Sequence, residues 1–133
     1  MDLAKVTVDR LINAAREVQR HAYAPYSRFP VGAAVLTADG RVFAGCNVEN
    51  SSFGLTVCAE RNAVAAAVAA GTRPVAVAVV ANGRGVTPCG ACRQVLAEFT
   101  PSMPVFFAPA DGGTPEATSL EALLPAAFRF ERD

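Results

Sequence analysis

The chain has 133 residues, enough for one domain with a single hydrophobic core. Lys plus Arg and Asp plus Glu both number 12, so the formal net charge is zero. That balance argues against a protein that tracks nucleic-acid backbones, which needs a basic surplus for phosphate contacts.

Hydrophobic residues make up 52% of the chain, yet no run approaches the ~20 apolar residues of a membrane helix. In a domain of this size the apolar surplus predicts a subunit interface, although alanine accounts for part of it. The opening Met-Asp-Leu-Ala-Lys lacks the layout of a signal peptide. Four cysteines in an unexported chain suggest a metal or catalysis before disulfides. The expected location is the cytoplasm, and 1–133 is expected to form one domain.

Leu3 to His21 places Leu3, Val6, Leu11, Ala14, Ala15 and Val18 at mostly helical spacing, with Lys5, Arg10, Arg16, Glu17 and Arg20 between them. This predicts an amphipathic helix. His21, the single histidine, reads as a helix-end residue with no chemical role. Ala22 to Pro30 is a loop, because Pro25 and Pro30 interrupt regular pairing. Its aromatics Tyr23, Tyr26 and Phe29 are core anchors, or one of them faces a ligand.

Val31 to Leu36 reads as a buried strand, Ala38-Asp-Gly40 as a tight turn, and Arg41 to Cys46 as the partner strand. The polar stretch Asn47 to Gly54 leads into a helix that carries Cys58 and Glu60 and stops at Gly71. The side chains of that helix are small nearly all round. Either another backbone approaches it closely, or alanine is present as the best helix former. Pro74 to Val80 predicts a strand buried on both faces. Gly90 to Phe99 predicts a helix, Pro104 to Ala108 a strand, and Ala110 to Ser119 a loop that pairs in part at a sheet edge. Leu120 to Phe128 holds a short helix and an aromatic. This order describes a three-layer α/β domain.

Two motifs carry the chemistry. Thr56-Val-Cys-Ala-Glu-Arg-Asn62 sets Cys58 two residues before Glu60, and Thr87-Pro-Cys-Gly-Ala-Cys-Arg-Gln94 sets Cys89 three residues before Cys92. Each motif follows an irregular stretch and opens a helix, where unpaired N–H groups and the helix dipole favour thiolates. Residues 89 and 92 share one helical face. Three thiolates hold a zinc ion and leave its fourth position open, as in catalytic sites. Glu60, not itself a ligand, is then free to move protons.

Three thiolates leave such a centre net negative, which calls for a compensating cation. Arg61 is the first candidate, acting through hydrogen bonds to sulfur. Arg93 is the second, and its other reading is a surface charge. Cys46 is a strand-end core residue. As a fourth ligand of a closed structural site it lies 12 residues from Cys58, too far for a zinc knuckle.

With these blocks the chain resembles the small homotetrameric cytidine deaminases of pyrimidine salvage, from Ala22 to about Phe128. The likeness rests on Ala-Tyr-Ala-Pro-Tyr-Ser-Arg-Phe-Pro-Val-Gly-Ala-Ala, Gly-Cys-Asn-Val-Glu-Asn-Ser-Ser-Phe-Gly, the two cysteine motifs and the closing Leu-Leu-Pro-x-x-Phe. The resemblance implies a three-layer α/β/α domain with a mixed five-stranded sheet. It implies hydrolytic deamination of cytidine and 2′-deoxycytidine, with one zinc per subunit on Cys58, Cys89 and Cys92 and with Glu60 as the proton carrier.

It further implies that Phe29 packs on the base, that Asn47 and Glu49 bind the ribose, and that the backbone N–H of Ala59 contacts the base. Phe53 and Phe128 would reach the sites of neighbouring subunits in a homotetramer. Two positions depart from the family pattern: Phe53 stands where tyrosine is common, and Arg28 where lysine is common. From the residues alone, Asn47 and Glu49 also read as turn formers and Phe29 as a core aromatic.

Two other functions compete. A blasticidin-type deaminase shares the Cys-x-Glu and Pro-Cys-x-x-Cys-Arg-Gln core, but Asn-Val-Glu-Asn favours a nucleoside. A non-catalytic zinc-stabilised or RNA-binding module has no use for Glu60, and zero net charge counts against RNA. No nucleic-acid or membrane partner is expected.

Overall fold

The structure is a computed structural model that describes residues 3–130. Its elements are α1 (Lys5–Gln19), β1 (Val31–Thr37), β2 (Val42–Cys46), a short 3₁₀ turn (Phe53–Leu55), α2 (Ala59–Ala69), β3 (Pro74–Ala81), α3 (Gly90–Ala97), β4 (Pro104–Pro109), β5 (Glu116–Ser119) and α4 (Leu120–Leu123). The strands form one sheet in the order β2-β1-β3-β4-β5. Only β3 and β4 pair in parallel, so the sheet is mixed. This is the three-layer α/β architecture that the element order predicted.

Period-two alternation along the strands divides the core. Ala34, Ala76, Ala78, Val80 and Ala108 face one side and bury Leu11, Ile12 and Ala15 of α1. Ala33, Val35, Val77, Val79 and Val105 face the other and pack with Ala59, Ala63, Val64 and Ala67 of α2 and with Leu96 and Ala97 of α3. Val6 is exposed, so it lies off the buried face of α1, which centres on Leu11, Ile12 and Ala15 and takes in Leu3 and Val8 at its edge. The segment before Ser119 does pair at the edge, with Phe107↔Glu116 through Pro104↔Ser119.

Helix α2 lies against bare backbone. A Cβ placed on Gly45 of β2 would meet Ala63 N at 2.4 Å and Ala59 O at 2.8 Å. Of the two readings of the small side chains, close backbone approach is therefore realised. The helix ends as expected at Gly71, whose φ of 88° suits glycine. Gly71 N bonds Val68 O and Thr72 N bonds Ala67 O, closing a Schellman cap.

Strand polarity decides where the site can form. Both β2 and β3 run antiparallel to β1, so they are parallel to each other, and β2–α2–β3 and β3–α3–β4 are successive crossover units. The carboxyl ends of β2 and β3 meet the start of β1, with Gly32↔Cys46 and Val31↔Ala81 in register. The N-termini of α2 and α3 and the loop before β1 thus converge on one edge of the sheet, where open α/β sheets bind ligands.

Candidate active site

Cys58 is the N-cap of α2, and Cys89 is the N-cap of α3. Cys92 lies in the first turn of α3 and is fully buried. The Sγ atoms of Cys58 and Cys89 are 3.8 Å apart, and those of Cys89 and Cys92 are 3.5 Å apart. A tetrahedral site with metal–sulfur bonds of ~2.3 Å has sulfur–sulfur edges of ~3.8 Å, so the donor set fits a zinc ion. All four cysteines are free thiols. Among the described residues the metal-competent group is Cys58, Cys89 and Cys92, without Cys46. Cys46 closes β2 half-buried.

The sulfurs are electrostatically unequal. The hydrogen bond from Cys92, then those from Arg61 and Cys89, pull the Cys58 thiol down to about 5 against the opposing effect of burial. The same contact with Cys58, together with burial and the Glu60 carboxylate, pushes Cys92 up. Negative charge is therefore favoured on Cys58 over Cys92, and a cation bound by the three sulfurs would displace thiol protons. Arg61 Nη2 lies 3.5 Å from Cys58 Sγ and also reaches Thr56 O at 3.4 Å. It sits where the charge argument needs a cation.

Glu60, in the first turn of α2, is 5% exposed. Burial first, and then the nearby Cys58 charge, raise its carboxyl to about 7. A group that titrates near neutrality both takes and gives protons.

A cavity of about 340 Å³ opens beside these groups, lined by Phe29, Asn47, Glu49, Cys58, Ala59, Glu60 and Cys89, with Ser27, Val31, Thr56, Val86 and Thr87 completing it. The residues assigned to a ligand within one chain thus share one cavity with two sulfurs and the buried carboxylate. Asn47 is nearly buried and bridges the strand entry: its Oδ1 accepts from Val31 N at 2.9 Å and its Nδ2 donates to Phe29 O at 3.0 Å. Glu49 Oε1 accepts from Tyr26 N at 2.9 Å and Ser27 N at 3.1 Å, and Oε2 accepts from the Ser27 hydroxyl. The Ser27 hydroxyl is the main reason that the Glu49 carboxyl lies below its ordinary range. A carboxylate has about four lone-pair sites, so Glu49 keeps acceptor capacity toward the cavity.

Phe53 and Phe128 lie outside this cavity and are 74% and 73% exposed. Phe53 stacks edge-on against Tyr26 at 5.8 Å and walls a neighbouring hollow shared with Ser27, Glu49 and Thr56. Phe128 is tethered through its carbonyl by Gln94 Nε2 at 2.9 Å.

Arg93 corrects the sequence reading. It is neither a surface charge nor a partner of sulfur: Nε donates to Pro88 O at 2.7 Å, Nη1 to Leu123 O at 2.8 Å and Nη2 to Thr87 Oγ1 at 3.1 Å. It straps the loop before Cys89 to the end of α4. Ser27 was missed as a cavity residue. The signal for it was a serine two positions before Phe29, the spacing at which a hydroxyl caps a backbone N–H.

Comparison with known proteins agrees with this geometry. The family described as "Cytidine and deoxycytidylate deaminase zinc-binding region" matches residues 6–108. A protein of Sporosarcina psychrophila named cytidine deaminase is 50% identical over 127 residues, covering 93% of each chain. One of the same name from Halalkalibacterium halodurans is 52% identical over 124 residues, covering 91% of this chain and 93% of that one. The crystal structure of cytidine deaminase from Burkholderia pseudomallei superposes with a TM-score of 0.84 at 50% identity, covering 90% of this chain and 98% of that one.

Proposed function

The chain belongs to the cytidine and deoxycytidylate deaminase family of zinc-binding proteins, and we propose that it hydrolyses cytidine and 2′-deoxycytidine to the uridines with release of ammonia. The observation that carries this reading is the sharing of one cavity by Phe29, Asn47, Glu49, Glu60 and two of the three clustered cysteines. Among the described residues no Lys or Arg lines that cavity, and Glu49 and Glu60 do. A 5′-phosphate would find no countercharge there, which favours the free nucleoside over the nucleotide.

Cys58, Cys89 and Cys92 hold the zinc, and zinc when bound supplies the Lewis acidity that makes water a nucleophile at neutral pH. Glu60 takes the proton of the attacking water and passes protons to N3 of the base and then to the departing amine. Its carboxyl, raised to about 7 by burial, suits both transfers. The N–H of Ala59, at the start of α2, orients the base, and Phe29 packs on its face. Asn47 and Glu49 take the sugar hydroxyls. Arg61 offsets the thiolate charge, which keeps the cation an effective acid.

The assembly is a homotetramer with shared sites, in which Phe53 and Phe128 serve neighbouring subunits. The support for this is their exposure beside the cavity and at the tethered tail. Phe53 and the exposed Tyr26 ring pack edge-on and so present a joined apolar surface, the kind of feature that marks an interface. Residues 1–133 act as one domain, the setting is cytoplasmic, and the role is pyrimidine salvage. No described helix is long and apolar enough to cross a membrane.

Ultraviolet absorbance of the purified protein with cytidine, deoxycytidine, deoxycytidylate, cytosine and blasticidin S tests the reading. Turnover of the first two alone is expected, and turnover confined to blasticidin S or to the nucleotide would overturn it. Sedimentation that finds a fully active monomer would overturn the shared sites.

A further inference from the structure

The loop before β1 carries a contact that the reaction scheme above leaves unused. Ser27 Oγ donates to Glu49 Oε2 and accepts from Phe29 N at 3.0 Å. A hydroxyl has one proton and two lone pairs, so this one group serves both partners at once. Asn47 Nδ2 meanwhile holds Phe29 O, so the Phe29 peptide groups are pinned on both sides of its side chain. Between Ser27 and Phe29, Arg28 adopts φ 56°, a left-handed conformation that a non-glycine residue keeps only when its surroundings enforce it. The Ser27 and Tyr26 N–H groups on Glu49 Oε1, with Arg28 N on Ala24 O at 3.0 Å, provide that enforcement.

We propose that Ser27 is a positioning residue: its hydroxyl fixes the spacing between the aromatic wall of the cavity, Phe29, and the carboxylate wall, Glu49, and so sets the fit of the nucleoside. The inference rests on the reading of Phe29 as base-facing and Glu49 as sugar-facing. The segment is exposed in the single chain and contributes no residue to either core cluster, so the fold persists when the hydroxyl is removed. What disappears is the single geometry in which both walls wait for the ligand, and the substrate must then impose that order at a cost in binding. The reacting end is untouched, because Glu60 and the cysteines lie on α2 and α3.

The test is steady-state kinetics of zinc-loaded Ser27→Ala, Ser27→Thr and Glu49→Gln on cytidine, with zinc content measured for each. Ser27→Ala should raise KM about tenfold with kcat near that of the parent, the pattern of lost uniform binding. Its zinc content should be unchanged, and Ser27→Thr, which keeps the hydroxyl, should restore KM. A parental KM for Ser27→Ala beside a raised KM for Glu49→Gln would overturn this inference and leave the proposed function standing. Parental KM in Glu49→Gln would instead remove the sugar-binding reading on which it rests. A fall of kcat and zinc together in Ser27→Ala, or no rescue by threonine, would reduce Ser27 to a general structural role and also overturn it.

Discussion

Arg61 Nη2 stands 3.5 Å from Cys58 Sγ, with the two residues three positions apart at the start of α2. The Nε of the same guanidinium is buried without a partner. A buried donor left unpaired is costly, and the negative sulfur cluster beside it is the compensation at hand.

Removing that charge should loosen the metal. Arg61→Gln is expected to bind zinc ~10–100-fold more weakly, the usual range for a partner of a ligand. Competition with a chromophoric chelator reads this directly, and parental affinity would dismiss Arg61 as the compensator.

Glu60→Gln should keep zinc and fold and lose turnover by ~10²–10⁴-fold or more, the contribution of a positioned acid/base. Metal analysis and the absorbance assay on the same sample check both halves. Near-parental turnover would sink the proton-transfer role.

Cys89→Ala should purify without a full zinc complement, whereas Cys46→Ala should retain it, because Cys46 stands outside the sulfur cluster. The reverse result would redraw the ligand set.

Acid sensitivity should map to the β1–β2 turn. The Thr37 hydroxyl first, then Arg41 and Thr72, hold the Asp39 carboxyl well below the usual carboxylate range. A carboxyl depressed on folding stabilises the fold above its unfolded value of 3.8 and loses that contribution as pH falls toward the folded value. Asp39→Asn should therefore melt lower than the parent at neutral pH and converge with it in acid. Parallel melting curves across that range would contradict the assignment.

Gly45→Ala tests how α2 is seated. The added carbon would meet backbone at 2.4 Å, so the helix must shift, at a cost of ~1–3 kcal/mol. Calorimetry should show the destabilisation, and weaker zinc binding should accompany it because α2 carries Cys58.

Much of this was legible from local spacing. Cys58, Glu60, Cys89 and Cys92 announce themselves because both motifs follow irregular stretches and open helices, and helix starts have a fixed internal geometry. Pro74 to Val80 reads as a doubly buried strand through its β-branched run, and β3 extends it by one residue to Ala81. What stayed hidden depends on residues distant in the chain. Arg93 reads as a surface charge until Leu123 O, 30 positions on, is brought to it. Glu49 reads as a turn former or a sugar contact, and nothing near it in the chain shows that the loop 22 positions earlier folds back and puts Ser27 on it. Val6 has the apolar character of a buried position, but its neighbours Leu3 and Val8 are the ones that pack on the core, and Val6 points away from it.

Strand polarity has one more consequence. The cavity gathers where β1 begins, while the Asp39, Arg41 and Thr72 clamp lies where β1 ends. The molecule thus has a reactive rim and a fastening rim, separated by the length of the strands. Enzymes commonly exchange stability for activity because both draw on the same residues. In this chain the two demands fall on different ends of one sheet, so the turn around Asp39 is where thermal resistance can be raised while the chemistry stays as it is.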